Sequence, residues 1–163
     1  MKTLKLSNFL INTHLGVFLG IFFLLHLLIN LPFLWAPDDS TTNDTVEMLE
    51  ETGGKATVLF ASVILAPLFE TFFYQFSVIK MVRFLIKYSI WAFIIAILGS
   101  ALLFAWDHSY SRYYQIGAFF IGILYASVFY IAQYRRELPA FLIVAILHST
   151  WNLFVFIMDE IGY

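Results

Sequence analysis

The chain has 163 residues, of which 61% are hydrophobic, 20% aromatic and only 12% charged, with a net charge of −2 and no cysteine. Soluble domains carry roughly 25% charged residues, so this composition excludes a soluble fold and calls for a membrane-embedded one. No disulfide framework is available, and no basic stripe or glycine-rich phosphate loop points to nucleic acid or nucleotide.

Five apolar runs approach or exceed the roughly 20 residues a helix needs to cross a bilayer. They fall at 9–35, 57–79, 88–107, 113–133 and 138–158, and predict an all-α polytopic bundle of five transmembrane helices. The first run is far longer than the core of a secretory signal, and Pro37 stands where cleavage would fall, so 1–35 is read as a retained helix. An acidic external loop follows at 36–56, in which TVEMLEET forms a short interfacial helix that Asn43 or Asp44 caps and Gly53-Gly54 stops. The remaining four spans, 57–163, form the core.

Basic residues alternate between the two ends of these spans. Lys2, Lys5, Lys80, Arg83, Lys87, Arg135 and Arg136 lie on one side, and only Lys55 and Arg112 on the other. By the positive-inside rule the N-terminus is inside and the C-terminus outside. The acidic residues Asp38, Asp39, Asp44, Glu47, Glu50 and Glu51 then face out together with Asp159 and Glu160.

Ionisable groups within the spans are few: His14, His26, Glu70, His108 and His148, with Asp107 at an edge. Burying such groups is costly, so each demands a partner, a cavity or a function. His14 and His26 read as packing or interfacial residues, because a neutral imidazole is the cheapest of these groups to bury. Asp107 reads as an exposed helix end. Glu70 is different, since LAPLFETFFYQ offers it no basic neighbour nearer than Lys80. Pro67 one turn before it removes a backbone hydrogen bond and opens the helix locally, and Tyr74 lies one turn beyond it. His148 and Asn152 in HSTWN stand at i and i+4, on one helix face, and Phe104 and His108 in FAWDH have the same spacing.

Glu70, then Phe104 and His108, then His148 and Asn152, in that order on hydrophobic spans, resemble the motifs of the CPBP family of intramembrane proteases, the CAAX-prenyl-protease and bacteriocin-processing (Abi) group. The resemblance covers roughly residues 58–156. That family's first motif is a Glu-Glu pair followed, after three residues, by Arg; its second is Phe-x-x-x-His and its third His-x-x-x-Asn. Two positions depart from it here, where Thr71 stands for the second glutamate and Gln75 for the arginine; their joint replacement suggests a neutral hydrogen-bonded arrangement in place of the ion pair. The resemblance implies a peptidase in which Glu70 and His108 activate water while His148 and Asn152 stabilise the oxyanion. Tyr74, Phe104, Thr71 and Gln75 would be supporting residues.

Elementary chemistry agrees with that division: peptide hydrolysis needs a base for the attacking water and donors for the developing oxyanion. Whether Zn²⁺ also sits among Glu70, His108 and His148, giving a metalloprotease-like centre, stays open at this point. The chain has no cysteine nucleophile, no His-Glu-x-x-His, no Gly-x-Ser-Gly and no Gly-x-Gly-Asp. A b-type cytochrome with His108 and His148 as haem ligands leaves Glu70 and Asn152 without a role.

The rival from another class is a non-catalytic scaffold, immunity protein or partner subunit of a membrane complex, suggested by the missing Glu and Arg. The partners expected are membrane lipid, a membrane-associated peptide or protein substrate, and other membrane subunits, with no nucleic acid. The location expected is the inner, cytoplasmic membrane. His108 falls at the outer tip of its span, so convergence with Glu70 and His148 requires a tilted helix, or an outer end buried beneath its neighbours.

Overall fold

The computed structural model describes residues 8–35, 44–86 and 89–162. All regular structure among them is helical, and five helical stretches are long and apolar enough to cross a membrane: Leu15–Phe33, Met48–Ile86, Ile90–Asp107, Arg112–Ala132 and Ala140–Glu160. The protein is therefore a multi-pass helical membrane protein. Asn43, Pro37 and the acidic positions Asp38 and Asp39 lie outside the described residues, as do Lys2, Lys5 and Lys87.

The first span is not one helix, as its continuous apolar run suggested. A short helix over 8–12 ends at Thr13, and α1 (Leu15–Asn30) starts afresh with the exposed His14 as its N-cap, whose Nδ1 accepts from the Gly16 N–H at 3.2 Å. A 3₁₀ turn, Leu31–Trp35, completes the span. Arg135 explains why the chain can break there. Its guanidinium donates to the carbonyls of Leu10 and, at 2.6 Å, Thr13, pairs with Glu137, and lies over the Phe18 ring at 4.5 Å. The carbonyls left open at the end of the 8–12 helix are thus closed by a charged donor from the turn after the fourth span.

The second span is longer than its apolar run and is composite. α2 (Asp44–Phe60) contains the expected break at Gly54, whose φ of 71° glycine alone adopts cheaply. It runs on through a first π segment (Ala61–Leu65), α3 (Ala66–Glu70), a second π segment (Thr71–Ser77) and α4 (Val78–Ile86). Just past the Gly54 break, Lys55 pairs with Glu160 at 2.6 Å. Both side chains are exposed, so this pair contributes little to stability.

α5 (Ile90–Asp107) and α6 (Arg112–Ala132) are each preceded by a capping serine. Ser89 Oγ accepts from the Ala92 N–H and Ser111 Oγ from the Tyr114 N–H, each satisfying one orphan donor of the first turn. α7 (Ala140–Glu160) closes the bundle. α6 is the spine: it packs on α1, α5, α7 and the second π segment, and more of it is buried than of any other span.

Small residues set how closely α6 meets α5. Ala118, Gly122 and Ala126 recur at four-residue spacing on α6 and are buried, as are Ala92, Ala96, Ala101 and Ala105 on α5. Without a hydrophobic force between helices in lipid, such close approach is the main source of association. A Cβ at Gly122 would come within 2.8 Å of the Ala101 Cα, which is backbone and cannot rotate away. Gly122→Val is expected to cost about 1–3 kcal/mol of stability by overpacking, seen as a lowered unfolding midpoint in detergent. Gly20→Ala, where a Cβ meets nothing within 4 Å, is the control expected not to lower that midpoint.

Candidate active site

Pro67 determines the local geometry. It has no N–H and its ring crowds the carbonyl one turn earlier, so the preceding turn widens to the i→i+5 register, with the Ala66 N–H bonded to the Ala61 carbonyl. In that register the Ser62 carbonyl would receive its bond from residue 67, which has none to give. Asn152 supplies it: its Nδ2 donates to the Ser62 carbonyl at 2.7 Å. A side-chain amide on α7 thereby replaces the backbone donor that proline deletes on the second span. Single-turn π insertions of this kind recur at functional sites, and here two of them flank the five residues that carry Glu70.

Across α3 and the second π segment one face turns outward and the other inward. Phe69, Phe72 and Phe73 are exposed, as lipid-facing residues should be, whereas Pro67, Thr71 and Gln75 are buried. The Glu70 side chain is 19% exposed, and its Oε2 lies 3.6 Å from His108 Nε2 and 3.8 Å from His148 Nε2. Both distances exceed a direct hydrogen bond, and Oε2 has no hydrogen-bond partner among the described residues. Groups this close without a direct bond are a place to look for a water between them. The structure thus brings Glu70, His108 and His148 together from three different spans.

His108 reaches the centre although it sits just beyond the end of α5. Its Nδ1 is 2.7 Å from the Phe104 carbonyl, and its ring stacks on the Phe104 ring with centroids 4.2 Å apart. A carbonyl only accepts, so Nδ1 carries the proton and Nε2, in the neutral ring, turns a lone pair toward Glu70. The i, i+4 spacing of Phe104 and His108 is what lets the imidazole fold back along its own helix instead of pointing away from the bundle. Rings of Tyr114 and Tyr110 lie against its other side.

The remaining expected residues fall into place less uniformly. Tyr74 is half-buried, edge-on to Phe104 at 5.6 Å. Asp107 is exposed, as read from the sequence. Asn152 is one turn from His148 on α7, with one of its two amide hydrogens used by Ser62. Thr71 and Gln75 do not form the neutral hydrogen-bonded substitute for an ion pair that their joint replacement suggested. Both are fully buried, and Thr71 Oγ1 and both amide atoms of Gln75 are without partners among the described residues. The charged pair is gone, and no side chain has taken over its bonds, so each orphaned group carries a desolvation cost of about 1–3 kcal/mol. Among the described residues, no group of three or more His, Asp or Glu side chains has the arrangement of a metal site.

Two buried groups near the centre were not singled out as site residues. His26 on α1 and Tyr125 on α6 are 1% and 0% exposed, and Tyr125 packs on His148 with ring centroids 4.7 Å apart. A histidine in mid-span is a signal the sequence does carry; its direction around the helix is not.

The profile of the family described as type II CAAX prenyl endopeptidase Rce1-like matches residues 52–154. The chain belongs to that family. Membership brings a CAAX intramembrane protease type of function as the general expectation for the chain, and the matched region contains Glu70, Phe104, His108, His148 and Asn152 while excluding α1. No curated protein and no solved structure matches the chain.

The Asn152 bond makes the first site prediction. Asn152→Leu strands the Ser62 carbonyl and is expected to lower stability by about 1–3 kcal/mol. In a Pro67→Ala background, where a backbone N–H is restored, the same change should cost clearly less. Equal losses in the two backgrounds, measured by unfolding in detergent, would show that Asn152 and Pro67 are uncoupled.

Proposed function

We propose that the chain is an intramembrane endopeptidase that hydrolyses a peptide bond of a membrane-associated protein or peptide, with a water activated by Glu70. The observation that carries this reading is the approach of Glu70 Oε2 to two imidazole Nε2 atoms, at 3.6 and 3.8 Å, inside a helical membrane bundle. Family membership over residues 52–154 supports it.

The chemistry follows from which atoms can give and which can receive. A water seated among the three groups donates one hydrogen to the Glu70 carboxylate and the other to the His108 Nε2 lone pair, which leaves its own lone pair directed outward for attack. As the water oxygen bonds to the scissile carbonyl carbon, Glu70 takes the proton, and the carbonyl π electrons move to oxygen. His148, protonated at Nε2, and the second amide hydrogen of Asn152 are the donors for that oxyanion. Collapse re-forms the carbonyl and breaks the C–N bond, and the proton held on Glu70 goes to the departing amine. Phe104 keeps the His108 tautomer fixed throughout, since its carbonyl holds the Nδ1 hydrogen.

Zn²⁺ held by Glu70, His108 and His148 is the other reading of the same side chains, and one assay separates the two. The purified chain in liposomes is given an internally quenched, prenylated peptide ending in a CAAX sequence, the substrate class that the family's name indicates. Glu70→Gln keeps the shape of the side chain and removes its proton acceptance, so kcat should fall about 10²-fold or more with folding intact. Turnover by Glu70→Gln equal to wild type rejects the reading, and full complementation of a deletion strain by the same variant promotes a scaffold, immunity or partner-subunit role. A chelator should leave the rate unchanged; loss restored by Zn²⁺ would favour the zinc centre instead.

We further propose that the end bearing Lys80, Arg83, Arg135 and Arg136 faces the cytoplasm, on the asymmetry of basic residues, and that the protein resides in the inner, cytoplasmic membrane. A reporter fused after Arg136 is expected inside and one after the last residue outside; the reverse pattern overturns the orientation.

A further inference from the structure

His148 lacks what a working histidine usually has. Its Nε2 faces Glu70, but its Nδ1 is buried and has no hydrogen-bond partner among the described residues. Nothing on that side fixes the ring by a bond, so its orientation depends on what packs against it. The Tyr125 ring does so, at 4.7 Å and a 35° tilt, and Phe104 meets it edge-on at 6.1 Å.

Tyr125 is held in turn by His26. The phenol oxygen lies 3.4 Å from His26 Nδ1, at the long end of hydrogen-bond range, and both side chains are essentially inaccessible. This is the phenol's one hydrogen bond among the described residues, and a buried hydroxyl without it would be left unsatisfied. His26 also stacks on Trp151, with ring centroids 3.7 Å apart and planes 16° from parallel. Trp151 lies on α7 between His148 and Asn152, and Phe23 and Phe154 pack around it. One imidazole on α1 thus touches the residue that backs His148 and the residue that lies between His148 and Asn152.

We infer that His26 and Tyr125 are positioning residues for the peptidase reaction, through which α1, outside the family-matched region, orients the His148 imidazole toward Glu70. The inference rests on the reading of His148 as a working residue. Neither side chain is required to touch substrate. Their part is to hold a ring that has no bond of its own at Nδ1, and a misplacement of about 1 Å at such a group is enough to cost up to 10²-fold in rate.

Two substitutions remove the contact and keep the packing. His26→Phe preserves an aromatic ring against Trp151 and loses the bond to Tyr125; Tyr125→Phe loses the same bond from the other side. With the prenylated CAAX peptide as probe, each is expected to lower kcat about 10-fold to 100-fold with KM unchanged, and the double variant should be no worse than either single one, as for two ends of one interaction. An independent readout is the ring-nitrogen NMR signals of His148 in ¹⁵N-histidine-labelled protein in micelles, assigned by loss in His148→Ala. They should shift in both single variants, and by the same amount in the double. His148 signals unmoved in folded His26→Phe and Tyr125→Phe protein overturn the inference, whatever the rates. If wild type does not turn over the probe while the His148 signals move as described, the peptidase reading loses its support and the positioning of His148 by α1 stands.

Discussion

A missing hydrogen governs the architecture of this site. Because Pro67 has no N–H, the second span cannot keep a regular α register, and the Ser62 carbonyl is left without a backbone donor in a medium that offers no water to replace it. The widening of the turn before Glu70 and the donation by Asn152 are two parts of one response to that vacancy. An ordinary helix would carry Glu70 past its neighbours on a fixed 100° advance per residue. The π segments on either side of α3 change that advance and let a carboxylate face inward while Phe69, Phe72 and Phe73 remain in lipid.

The rest of the bundle converts this local irregularity into a meeting point. α6 supplies no member of the Glu-His-His cluster, yet it backs the site with Tyr125 and draws α5 close through Gly122, so that the end of α5 can return His108 toward the centre. The cluster draws on three spans and needs the remaining two as its walls. Polar groups that would be expensive singly in lipid are stacked together here, in an interior lined by aromatic rings. The orphaned Thr71 and Gln75 show that the arrangement is not optimised for stability.

Much of this was legible in the residues. Apolar run length gave the five spans because the bilayer fixes the length of a crossing helix, and the i, i+4 spacings of Phe104 with His108 and of His148 with Asn152 predicted shared faces. The sequence also singled out Glu70 by its isolation from any basic residue. Other features depend on contacts between distant parts of the chain and leave no local pattern. The break at Thr13 reads as continuous apolar helix because the donor that closes it is Arg135. The burial of His26 turns on which way α1 faces. The bond from Asn152 to Ser62 needs α7 to lie against a proline-broken turn 90 residues earlier. Thr71 and Gln75 suggested mutual compensation, and side chains that point into the same dry interior need not bond.

Arg135 was counted from the sequence as one more positive charge at the basic end, and its buried guanidinium has a consequence for the order in which the molecule is made. The carbonyls it closes belong to Leu10 and Thr13, 125 and 122 residues earlier. Those first turns emerge long before their donor exists. At synthesis rates of 5–20 residues per second, about 6–25 s separate the two, a wait in which the start of the chain has no lock. The bonds that close the start of the first span can therefore form only after the fourth span and its following turn have been made, so residues among the first to leave the ribosome are held by one of the later ones.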